Sequence, residues 1–125
     1  MRQSALILFA HGARDPRWAH PFERLREMTQ HNAGGAIVRL AFLEFMTPSL
    51  PELVAQLVAD GVSTISIVPV FLGQGGHVLR DLPLMLERLR TDFPAIQIQQ
   101  VQAVGEDESV LNAISNYCLQ QLQNR

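Results

Sequence analysis

Three side chains able to handle metal ions or protons stand just beyond apolar runs: His11 after ALILFA, Glu44 after AIVRLAFL, and His77 a few residues after TISIVPVF. Two neutral imidazoles and a carboxylate suit a divalent first-row metal, and the lack of thiolates beside them argues against a structural zinc site. An imidazole with a pKa of about 6.5 also accepts protons at neutral pH. Arg14, Arg17 and Arg80 flank the two histidine segments as a positive rim, which suits a carboxylate-bearing ligand. Gly73, Gly75 and Gly76 crowd His77. Such bare backbone lets a loop lie close to the strand tips, leaves the histidine facing an open cleft, or nests an anion.

Taken singly, each residue has a plainer role. A histidine after a strand caps or hydrogen-bonds, a glutamate sits on a solvated turn, glycines make a tight turn, and Arg80 pairs with Asp81. What joins them is a shared position at successive strand ends. His20 and His31 fall within or at the end of a helical pattern and are expected on the surface.

The elements that must position these groups alternate. Strands are expected over Ala5–Ala10, Ala36–Leu43, Thr64–Phe71 and Ala95–Val101, and helices over Arg17–His31, Ser49–Asp60, Leu79–Asp92 and Asp107–Gln123. The first and third strands are nearly continuous apolar runs, the mark of central parallel strands covered on both faces. The fourth alternates Ile96 and Ile98 with Gln97 and Gln99, as an edge strand would. Leu50, Leu53, Val54, Leu57 and Val58 make one helical stripe, which Gly61 is placed to end. A βαβαβαβα order implies an α/β fold: a four-stranded parallel sheet, helices on both faces, and a ligand site beyond the carboxyl ends of the strands.

Composition excludes several functions. The 125 residues make one domain, 1–125, and the apolar (47%) and charged (18%) fractions are ordinary for a globular protein. Every basic side chain is an arginine, and the net charge of −2 offers no field for nucleic acid. Cys118 alone allows no internal disulfide and reads as a small hydrophobe in a helix. No segment approaches the roughly 20 apolar residues needed to span a bilayer. The opening apolar run is a poor signal peptide, so a cytoplasmic location is expected.

HGARDP at His11–Pro16, AFLE at Ala41–Glu44 followed by PSL at Pro48–Leu50, and VPVFLGQGGHVLRDLP at Val68–Pro83 resemble the short CbiX/SirB-type class II chelatases over nearly the whole chain. The third segment is the most specific of these. The resemblance implies a lyase-class enzyme that inserts cobalt(II) or iron(II) into sirohydrochlorin, in cobalamin or sirohaem synthesis. It implies His11 and His77 as metal-binding and catalytic residues, with Glu44 assisting in metal binding or proton transfer. It leaves Arg14, Arg80, Gly75 and Gly76 to the acidic arms of the macrocycle and Phe42, Phe45, Phe71 and Leu72 to an apolar lip. The metal enters as substrate, and no prosthetic group is expected. Longer members look like two fused copies of this unit, so a homodimer is expected. One departure is Ala13, where members commonly carry serine.

Three other readings compete. A non-catalytic carrier of metal or tetrapyrrole would use the same His11/His77 site. A phosphate binder would use GQGG as an anion nest, but no Lys-Ser/Thr pair follows it. A histidine phosphatase would want an arginine directly before His11, where Ala10 stands.

Overall fold

The structure is a computed structural model that describes residues 3–73 and 75–123 and, of His77 and Leu79, the backbone alone. Strands β1 (Gln3–Ala10), β2 (Ile37–Phe42), β3 (Val62–Pro69) and β4 (Gln97–Gln100) alternate with helices α1 (His20–His31), α2 (Leu50–Ala59), α3 (Gly76–Asp92) and α4 (Glu108–Gln123). All strand pairings are parallel, in the spatial order β2-β1-β3-β4. The two near-continuous apolar strands are therefore the central ones, and the alternating fourth strand is an edge, as their patterns require.

The strand order fixes the layers. From β1 the chain steps one way to β2 and then back across β1 to β3 and β4. With right-handed crossovers this puts α1 on one face and α2 and α3 on the other. The pleat divides the strands accordingly. Ala5, Ile7 and Phe9 join Ile65 and Ile67, Leu53, Val54 and Leu57 of α2, and Leu82, Leu86 and Leu89 of α3 in one buried core. Ser49 and Glu52 close α2 with a reciprocal capping box, and Gly61 follows it at φ 92°, the left-handed conformation its type allows without strain.

Several boundaries differ from the sequence-based expectation: β1 and β3 begin two residues earlier, at Gln3 and Val62, and α1 begins later, at His20. β4 is shorter, four residues only. β3 ends at Pro69, although Val70 N–H still donates to the Phe9 carbonyl at 2.8 Å. The third helix begins at Gly76 rather than Leu79, with Gly75 as an extended N-cap (φ −75°, ψ 157°). The cause is packing: Val78 is buried and extends the stripe of Leu82, Leu86 and Leu89 upstream by one turn. Gly76 and His77 thus belong to a helix and not to a loop. Among the described residues, no helix is long and apolar enough to cross a membrane.

Candidate active site

The carboxyl ends of β1 and β2 stay in register past the last strand residues. Leu43 N–H donates to the Ala10 carbonyl at 2.9 Å, and Glu44 N–H to the His11 carbonyl at 3.1 Å. This brings the two side chains together: with its proton on Nε2, His11 donates to Glu44 Oε1 at 3.0 Å. The side chains are 47% and 45% exposed, so the pair faces solvent. An ion pair so exposed contributes roughly 0–1 kcal/mol to stability, too little to explain its geometry as a structural device. Removal of the shared proton leaves an imidazole lone pair and a carboxylate oxygen side by side, the donor types that cobalt and iron accept.

Gly12 makes this approach possible. It sits at φ 95°, and a Cβ built on it would lie 1.9 Å from the Glu44 carbonyl oxygen. Any side chain there would push the two strand ends apart. Beneath the pair, Phe71 is buried and meets the His11 ring edge-on at 6.3 Å and the Phe9 ring at 5.9 Å. The ring that limits the imidazole's tilt is thus part of the core. The sequence-based reading placed Phe42 and Phe71 on an apolar lip. Both are buried, while Phe45 and Leu72 are exposed.

Arg14 and Phe45 join the next turn of the rim, the guanidinium carbon lying 5.0 Å from the ring centroid. Phe45 holds φ 67°, an uncommon conformation for a bulky residue. A cleft of about 350 Å³ opens beside it, lined by Pro16, Ala19, Glu23, Phe42, Met46 and Thr47. Arg17 is drawn out of the rim, bonded in bidentate fashion to Asp15 with Nη2 to Oδ2 at 2.7 Å. That contact holds the Asp15 carboxyl below its usual range.

The backbone of His77 lies in the first turn of α3, which starts beyond the carboxyl end of β3; its side chain lies outside the described residues. Arg80 is exposed on the same helix. A Cβ built on Gly73, Gly75 or Gly76 would meet nothing within 4 Å. Among the described residues, no neighbouring atom requires these glycines. Among the described residues, no three histidine, cysteine, aspartate or glutamate side chains gather as one metal-binding group. His20 and His31 are exposed, as expected.

Two contacts were missed from sequence: Gly12 against Glu44, and Gly105, whose Cβ would lie 1.9 Å from the Leu72 carbonyl oxygen while its N–H donates to Phe71. HG after an apolar run hints at the first, since glycine permits close backbone approach. No local signal marks the second.

The CbiX family model matches residues 5–120. The chain belongs to the CbiX family. This CbiX chain is 35% identical to the sirohydrochlorin cobaltochelatase of Methanococcus aeolicus over 82 residues, 66% of this chain and 57% of that one. The chain therefore spans little more than half the length of that relative. A crystal structure of a CbiX protein of Marinobacter aquaeolei, named for cobalamin biosynthesis, is 31% identical. It covers 98% of this chain and 99% of that one, with a TM-score of 0.86. The SirB chelatase of Bacillus subtilis subspecies spizizenii, in complex with cobalt, shares the fold at TM-score 0.78 and 24% identity. It matches 91% of this CbiX chain and 49% of its own length.

Proposed function

We propose that this chain inserts a divalent metal, cobalt(II) or iron(II), into sirohydrochlorin. The observation that carries the reading is the exposed His11–Glu44 pair at the strand-end rim of a CbiX-family fold. The macrocycle is planar, bears eight carboxylate arms, and must lose two N–H protons as the metal enters. His11, with His77 from the first turn of α3, presents the metal to one face of the ring. Glu44 accepts a proton and releases it to water, which the pair's exposure allows. A sparse ligand set lets the metal leave the protein, where a closed four-ligand site would retain it.

Arg14 and Arg80 attract the acidic arms, and the first turn of α3, where the N-cap Gly75 makes no side-chain hydrogen bond, presents backbone N–H groups to a carboxylate. Exposed Phe45 and Leu72 support the flat ring. The cleft beside Phe45 is too small to enclose a macrocycle, so the ring lies over the rim. A second copy facing it would cover the other side. A homodimer, a single functional domain over 1–125 and a cytoplasmic location are parts of the same proposal.

The test is insertion itself. Purified protein is mixed with sirohydrochlorin and cobalt(II) or iron(II), and the free-base absorbance is followed against the spontaneous rate. Acceleration supports the enzyme. Binding of metal and macrocycle with no acceleration would make the protein a carrier.

A further inference from the structure

The loops after β1 and β2 touch twice. His11 meets Glu44 at 3.0 Å, and a little further along both loops Arg14 sits over the Phe45 ring, its guanidinium carbon 5.0 Å from the centroid. The first contact holds the groups that handle metal and protons. The second joins two exposed residues and takes no part in that chemistry.

At Phe45 the backbone works against the side chain. The loop between β2 and α2 folds back on the strand, with Phe42 N–H donating to the Pro48 carbonyl at 2.9 Å and Phe42 bridging to Ser49. Within that loop residue 45 holds φ 67°. Glycine adopts this conformation freely, and a bulky side chain does not. Such strain persists where the surroundings over-determine it, as tight burial of the ring would. Here the ring is 57% exposed. Packing therefore offsets little of the strain, and glycine would fold the loop without it. The ring is explained by what it touches.

It touches an unpaired cation. Among the described residues the Arg14 guanidinium meets no carboxylate, whereas Arg17, on the same loop, is tied to Asp15 through Nε and Nη2. An aromatic face holds a guanidinium plane by cation–π attraction and leaves its edge N–H groups to bond elsewhere. Those groups match the two oxygens of a carboxylate. Glu23 lines the cleft beside Phe45, and its charge turns carboxylates away from it. An acidic arm that reaches this side of the rim is left with Arg14.

We propose that Phe45 is a positioning residue for substrate binding. Its strained backbone, directly after Glu44, sets the ring under Arg14, so that the guanidinium grips one carboxylate arm of the macrocycle at a fixed offset from the His11–Glu44 pair. One frame of two loops then carries both the metal-handling pair and an arm clamp.

The clamp rests on the chelatase reading for its ligand, so binding and insertion are measured separately: metal-free sirohydrochlorin by absorbance titration, and cobalt(II) insertion by its rate. Phe45→Ala and Arg14→Ala should each weaken binding about tenfold, as the loss of a stacked, desolvated cation does. The double variant should lose less than the product of the two single losses, because either truncation already breaks the clamp. Phe45→Tyr keeps a flat ring and should bind like the parent, while Phe45→Leu, apolar but not flat, should not. Thermal denaturation reads the strain with no ligand present. Phe45→Gly should melt above Phe45→Ala, since both lack the ring and only alanine keeps the unfavourable backbone.

Parental binding in Phe45→Ala, multiplying losses in the double variant, or a Phe45→Gly protein that melts below Phe45→Ala would each overturn the clamp while the parent still inserts metal. A parent that binds sirohydrochlorin without speeding insertion fails the chelatase reading alone, and the same titrations then decide the clamp. A parent that binds no sirohydrochlorin overturns both.

Discussion

His11 and Glu44 lie 33 residues apart in the chain and 3.0 Å apart in space, Nε2 against Oε1. Two backbone hydrogen bonds beyond the ends of β1 and β2 set that distance, and Gly12 allows them. The pair is exposed, so it can be altered with little consequence for the fold. That makes its chemistry separable from its structure.

His11→Ala and Glu44→Gln are each expected to lower metal insertion into sirohydrochlorin about 100-fold or more, the scale of losing a positioned proton-transfer group. Melting temperatures should stay within a few degrees of the parent, because an exposed pair contributes roughly 0–1 kcal/mol. Parental insertion rates in both folded variants would remove the pair from the mechanism.

His77→Ala should also fold, since alanine is the best helix former and the position lies in the first turn of α3. Its insertion rate should fall at least about 100-fold. His20→Ala, exposed at the start of α1, is the matched control and should keep the parental rate. Equal rates in the two variants would count against His77 as a metal ligand or base.

Gly12→Ala is expected to harm both stability and activity. The left-handed backbone alone costs about 1–3 kcal/mol for a residue with a Cβ, and the clash with the Glu44 carbonyl adds to it. Thermal denaturation should show a loss of several degrees, and the insertion rate should fall even where the protein remains folded. Gly76→Ala, where a Cβ meets nothing, should lose far less stability.

Acid should destabilise the fold through three carboxylates held below their ordinary pKa. The Arg17 side chain lowers Asp15, the Ser49 backbone N–H lowers Glu52, and the Ser109 hydroxyl lowers Asp107. A depressed folded-state pKa means the unfolded chain binds protons first. The stabilisation is therefore complete above the ordinary carboxylate pKa of about 4 and disappears as pH falls through the folded values. A melting-temperature series should be flat from neutrality to about pH 5 and decline below it. Glu52→Gln, which removes one titrating group, should make that decline shallower. An unchanged slope would show that the capping box is not among the acid-sensitive contacts.

The order of elements, the central places of β1 and β3 and the edge place of β4 were readable from the sequence, because covered and half-covered strands need different apolar patterns. The gathering of His11, Glu44 and His77 toward one end of the sheet followed from the same topology, since βα connections in a parallel sheet share one end. Tertiary structure alone decided the rest. Whether Glu44 reaches His11 depends on a backbone contact at Gly12 that spans two strands, and pattern along one strand carries no information about it. Phe71 and Phe45 look alike in sequence, yet one is core beneath the imidazole and the other is exposed on the rim. Packing of Val78 drew the start of α3 back over Gly76 and His77, against the low helix propensity of glycine. An isolated run of residues specifies its own periodicity; the distance between two side chains is set by everything packed between them.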